Sequence, residues 1–251
     1  MTHSLAAAAS ILGLALAFAP AAKATELKVL AGGALVGVLG DLGPKFEQAS
    51  GHKLTIKFAA TPDLIKAATS GEPFGVGVTP VDVYKNAEAR AKFAPGPTVN
   101  ITRVGFGVAV KAGAPKPDVS TPEALKATLL KAKSIALLPE SAAGAYVSKV
   151  IERLGITAEV NAKAVKQTSP AGVPGAVAKG DAEIGVFLTN VLVAPGVELA
   201  GNFPGDLQQD LVFAAAPSAD TKNAAAVKAF IDFLQTPASQ ATIKAKGMKA
   251  G

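Results

Sequence analysis

Along this chain the spacing of apolar positions switches repeatedly between two periods. Residues 27–30 form a short apolar run that predicts a strand, and 34–50 then place Leu35, Val38, Leu39, Leu42 and Phe46 on one side of a helix that Gly51 ends. Residues 54–58 predict the next strand. A helix over 62–70 follows, with Pro62 at its first position and the Thr61 hydroxyl as its cap. Residues 75–78 predict a third strand, 81–94 a helix, and 102–111 a long alternating strand. The Gly- and Pro-rich stretch 112–122 predicts a surface turn, and Thr121 starts another helix with Pro122 and Glu123 in its first turn.

The second half repeats the design. Residues 134–137 predict a strand, the loop 139–144 leads into a helix over 145–154, and Gly155 stops it. A short helix over 170–179, a buried strand over 183–187 and a strand over 197–199 come next. Residues 211–215 predict a strand that mirrors 105–110, and apolar stripes over 224–234 and 237–245 predict closing helices. Such alternation predicts the α/β class: two α/β lobes, joined by two crossing strands, with a ligand cleft between them. The lobes are expected over 25–108 plus 200–251 and over 109–199.

Residues 5–19 are rich in Ala and Leu, and Ala22-Lys23-Ala24 supplies the small-x-small pattern of a signal-peptidase site before Thr25. The run is short for a membrane span, so residues 1–24 are expected to be a cleaved secretory leader. No later apolar stretch approaches membrane-spanning length, and the mature chain is expected to be soluble and periplasmic.

Composition removes several function classes. Cysteine is absent, which excludes disulfides, thiolate metal ligands and a cysteine nucleophile. Of the two histidines, His3 lies in the expected leader and His52 follows Gly51 in what reads as an exposed turn. A Ser-His-Asp triad or a His-rich metal site therefore lacks parts, and no metal, cofactor or catalytic residue is expected. Twenty-five Lys and Arg against 19 Asp and Glu give a net charge of +6, a mild field that gathers anions. The basic residues stand singly along predicted helices and Trp is missing, so no nucleic-acid partner is expected. The segment AGGALVGVLG lacks the spacing and the lysine of a phosphate-binding P-loop.

In an α/β lobe, ligands settle where loops leave the carboxyl ends of strands and helices begin. Three loops fit. Gly32, Gly33 and Ala34 lack bulky side chains, so main-chain N–H groups can approach a ligand at a helix start. Ala60 and Thr61 offer small residues and a hydroxyl that either donates to a ligand or caps the helix. In the other lobe, Ser141, Ala142 and Gly144 precede a helix, with Tyr146 beside them as an amphipathic wall. Thr79, Phe187 and Thr189 end strands that face the same cleft, although Thr79 also suits a cap and Phe187 the core. Convergent helix N-termini with neutral donors suit an anion, each terminus contributing about 0.3–1 kcal/mol. The enzymatic alternative is acid–base chemistry by Glu140, Asp63 or Asp82, with Glu140 best placed because it adjoins Ser141.

The segments LKVLAGGAL, GPKFEQASGHKLTIKFAATPDL, RVGFGVAVKAGAPKPDVSTPEALKATLLKAKSIA, YVSKVIERLGI, VAKGDAEIGV and AFIDFLQTPASQATIKAKGM resemble the periplasmic solute-binding proteins of the molybdate-binding type. The resemblance spans nearly all of 26–250 and implies the type II periplasmic-binding-protein fold, a small anionic ligand, a monomer, and delivery to the membrane permease of an ABC importer. It also implies a serine in each of the first two loops, where this chain has Gly33 and Thr61 instead. Arg103 stands where several members of the branch carry an arginine able to pair with a carboxylate. A molybdate-like oxyanion and a small organic carboxylate are thus both expected ligand classes, with a metal-free isomerase or dehydratase on the same scaffold as a further alternative.

Overall fold

In the computed structural model, which describes residues 24–251, the apolar runs form two mixed sheets. The expected leader lies outside the described residues apart from Ala24. The strands are β1 (Glu26–Gly32), β2 (Lys53–Ala59), β3 (Val76–Pro80), β4 (Val99–Val104), β5 (Phe106–Lys111), β6 (Ile135–Leu137), β7 (Ala164–Lys166), β8 (Ile184–Leu188), β9 (Val197–Asn202), β10 (Leu211–Pro217) and β11 (Lys249–Ala250). The first sheet has the order β11-β4-β10-β3-β1-β2 and the second β7-β6-β8-β5-β9.

The two sheets repeat one plan. β1 lies parallel between β2 and β3, as β6 lies between β7 and β8. One antiparallel strand then adds to each: β10 beside β3, and β5 beside β8. The predicted mirror between 211–215 and 105–110 is therefore present. Even its irregularity repeats, because the register shifts between Phe213 and Ala214 on β10 and between Val108 and Ala109 on β5. All five residues of β3 and of β8 are buried, as parallel strands covered on both faces require. Phe46, on the helix Val36–Ser50, packs edge-on to Phe230 with ring centroids 5.0 Å apart.

Several elements differ from the sequence expectation. The strand expected over 102–111 is two strands in different sheets, broken at Gly105. There the side chain of Gln208 comes so close that a Cβ would stand 2.9 Å from its Oε1. Gln208 Oε1 accepts the Phe106 N–H at 2.8 Å while its Nε2 donates to the Phe106 carbonyl at 2.9 Å. Residues 106–108 and 200–202, expected in the first lobe, accordingly pair within the second sheet. The second connection between the sheets is not a strand. It is the segment 203–210, with a 3₁₀ turn at Gly205–Leu207.

The helix expected over 81–94 is a 3₁₀ turn, Val81–Lys85, and a short helix, Ala87–Arg90, because the Asn86 side chain accepts the Ala89 N–H and starts a new helix. His52 is not solvated: it is 9% exposed and lies against Phe46, with ring centroids 6.1 Å apart. The helix Thr157–Asn161, β7 and β11 were not anticipated, since each is five residues or shorter and carries no full period. Among the described residues no helix is long and apolar enough to cross a membrane.

Candidate ligand cleft

The carboxyl ends of β1, β2, β6 and β8 meet across one gap. From the first sheet come Gly32, Gly33 and Ala34 after β1, Ala59, Ala60 and Thr61 after β2, and Pro80 at the end of β3. Opposite them stand Ser141, Ala143 and Pro170, with Phe187 and Leu188 at the end of β8. Leu211 and Phe213 of β10 complete the lining. In this conformation the chamber between these walls measures about 20 Å³, room for about one water, so an anion enters only as the walls part.

Three contacts draw the walls together. Thr61 Oγ1 accepts the Ala142 N–H at 3.0 Å, and Asn190 Nδ2 donates to the Ala34 carbonyl at 2.8 Å. Gly33 faces Pro170 so closely that a Cβ would stand 2.9 Å from its Cγ. Each contact joins an element of one sheet to an element of the other.

Two of the three helix starts use their polar groups within the protein. The helix Thr61–Thr69 begins after Ala60 in extended conformation, so Thr61 is its first residue and its hydroxyl is no cap. That hydroxyl is free to reach across the gap instead. The helix Ala142–Arg153 starts three residues earlier than expected because Ser141 is its cap. Ser141 Oγ accepts the Gly144 N–H at 2.9 Å and donates its own hydrogen to the Leu138 carbonyl at 2.9 Å. The hydroxyl is thereby committed twice; of the first-turn amides, which have no acceptor inside the helix, that of Ala142 is taken by Thr61. Ser141→Ala is expected to cost about 1 kcal/mol of stability, seen in thermal melting, and to change ligand Kd by less than about tenfold.

Other expected site residues lie elsewhere. Arg103 is half exposed on β4, where its Nε donates to the Ala250 carbonyl at 3.1 Å and lies 3.8 Å from Asp210. Its strand pairs with β11 at the edge of the first sheet, and Arg103 is not among the residues lining the gap. Arg103→Ala is expected to cost under about 1 kcal/mol and to leave ligand Kd unchanged in a titration. Thr79 is buried beside Tyr84, whose hydroxyl donates to the Gly77 and Ala214 carbonyls and whose burial pushes its pKa up to about 12. Gly144 packs against the Leu138 backbone rather than facing the gap. Thr189 donates its N–H to the Gly105 carbonyl at the crossing point, 3.0 Å away. Tyr146 also serves the crossing: its ring packs on Phe106 and its hydroxyl donates to the Leu207 carbonyl at 2.9 Å. Burial raises the pKa of that phenol.

Pro80, Pro170, Leu188, Leu211 and Phe213 were missed as lining residues. Phe213 covers Gly32, where a Cβ would stand 2.6 Å from its Cε1, a close fit that only the sheet order creates. Of the possible acids, Asp82 is bound to Lys85 at 2.9 Å, and Glu140 and Asp63 are exposed outside the lining. Among the described residues no group of three or more His, Cys, Asp or Glu could hold a metal ion.

The sequence model of the bacterial extracellular solute-binding proteins matches residues 27–249. An aconitate isomerase from Pseudomonas sp is 30% identical over 233 residues, covering 90% of this chain and 88% of that protein. The molybdate-binding protein ModA of Azotobacter vinelandii is 28% identical over 253 residues, covering 98% of both. Among solved structures, the periplasmic molybdate-binding protein of Azotobacter vinelandii superposes with a TM-score of 0.75 at 21% identity, over 90% of this chain and 99% of that one. The likeness to that structure is one of fold, the two-lobed α/β architecture. The chain belongs to the bacterial extracellular solute-binding protein family.

Proposed function

We propose that this protein is a periplasmic receptor that captures a small anion between its two lobes and delivers it to the permease of an ABC importer. The observation that carries this reading is the lining of the chamber. Gly33, Ala34, Ala60 and Thr61 of one lobe face Ser141 and Ala143 of the other there, and the lining includes no carboxylate, imidazole, amine or guanidinium. Neutral dipoles hold an anion without a fixed countercharge, so they bind it and release it when the lobes part. Gly33, Ala34, Ala60, Thr61, Ala142 and Ala143 are the proposed contacts. The crossings at Gly105 and 203–210 are the proposed hinge, because Gln208 and Tyr146 tie the second crossing to the second lobe.

The identity to an aconitate isomerase favours a second reading, an isomerase acting on an organic acid. Proton transfer needs a base within hydrogen-bond reach, and the chamber offers only the hydroxyls of Thr61 and Ser141. Titration with molybdate, tungstate, sulfate, aconitate and simple carboxylates, read by thermal shift, separates the two. A ligand at about 100 times its Kd adds about 2.7 kcal/mol. Stabilisation without chemical change of the ligand is the expected result; conversion of aconitate, followed by NMR, would install the enzyme in place of the receptor.

A further inference from the structure

Beyond the constriction between Gly33 and Pro170 the gap opens into a groove of about 610 Å³. Gly33, Ala34 and Pro170 line both spaces, so the groove continues the chamber rather than forming a separate cavity. Its walls are drawn from both lobes and are apolar. Val36 on one side is 52% exposed and Val193 on the other 70%, two of the three exposed large apolar residues of the described chain. A wall of this kind gains little from a compact, fully hydrated oxyanion, and gains from covering by hydrocarbon.

Lys246 is the only charged residue lining the groove. Its Nζ lies 2.8 Å from Asp41 Oδ2, which occupies one of the three donors of an ammonium group. Asn190 stands between chamber and groove. Its Nδ2 holds the Ala34 carbonyl while its buried Oδ1 has no partner. A buried acceptor without a donor is costly, which makes this bridge a weak seam that an incoming ligand can open.

We propose that the ligand is an elongated organic anion with at least two acidic groups. One sits on the first-turn amides of the chamber, the hydrocarbon middle lies between Val36 and Val193, and the second acidic group meets Lys246. This rests on the anion-receptor reading and adds the ligand's shape and its second charge.

Isothermal titration of the full mature protein with acetate, butyrate, succinate, glutarate, tricarballylate and molybdate tests it, alongside Lys246→Met, Lys246→Arg and Val193→Ser variants. The expected result is that a di- or tricarboxylate binds at least about tenfold more tightly than any monocarboxylate. Lys246→Met should weaken that ligand about tenfold or more, with Lys246→Arg restoring most of the affinity, while monocarboxylate binding stays level. Tight molybdate binding that is indifferent to Lys246 would overturn the elongated ligand and leave the receptor intact. Silence towards every anion would overturn both. Val193→Ser with normal carboxylate affinity but lost solute uptake by cells would overturn it too, assigning the groove to a protein partner.

Discussion

Gly144→Ala is expected to lower stability by about 3 kcal/mol or more, a fall of roughly 6–12 °C in melting temperature for a chain of this size. The residue is the third of the helix Ala142–Arg153. A Cβ there would stand 1.8 Å from the Leu138 carbonyl oxygen and 2.8 Å from Pro139 Cα. Both are main-chain atoms at the end of β6, and no rotamer change can clear them. The helix would have to lift from the strand, breaking the hydrogen bond from Ser141 to Leu138 and displacing the Ala142 and Ala143 amides. Ligand affinity should fall together with stability. Circular dichroism melts and a thermal-shift titration check both, and a melting temperature within about 2 °C of the parent would refute the close contact.

Gly33→Ala is expected to act differently, lowering ligand affinity roughly 5- to 150-fold while leaving the melting temperature nearly unchanged. No left-handed backbone is required at this position, so alanine fits the local conformation. Its methyl group would meet Pro170 Cγ at 2.9 Å and Cδ at 3.2 Å, across the gap. Overpacking costs about 1–3 kcal/mol in a rigid core. Here the two atoms belong to lobes joined covalently only at the crossings and otherwise by a few contacts across the gap, so the strain is relieved by opening. The cost then falls on the closed form, and a receptor that binds when closed loses affinity by the corresponding factor. Isothermal titration gives the affinity, and small-angle scattering gives the separation of the lobes. Adding Pro170→Ala should recover most of the loss if the contact acts as a pair; a double variant no better than Gly33→Ala would place the cause elsewhere.

Much of the fold was legible because local chemistry decided it. Gly51 and Gly155 take left-handed conformations with φ of 73° and 67° at helix ends, as helix-stop glycines do. Thr121 caps its helix by accepting the Ala124 N–H, as its position before Pro122 suggested. The apolar runs at 27–30 and 183–187 are buried strands, and the loops after β1, β2 and β6 are the loops that face the gap. Where the expectation failed, a distant residue had intervened. Arg103 matches an arginine able to pair with a carboxylate, yet it donates to the Ala250 carbonyl, 147 positions away. His52 reads as a turn residue, yet Phe46 covers it. Thr61 has the chemistry of a cap but accepts a hydrogen bond from Ala142, 81 positions away.

By itself the sequence determined the α/β alternation, the absence of cysteine, and the three small-residue helix starts. These follow from side-chain size, period and backbone preference, which act over a few residues. Only the tertiary structure decided how those starts are used. The break at Gly105, the cross-gap contacts of Thr61 and Asn190, the fit of Gly33 to Pro170, and the placing of Lys246 in the lining of a mostly apolar groove all join residues far apart in the chain. Their geometry depends on sheet order and packing, which no local pattern records.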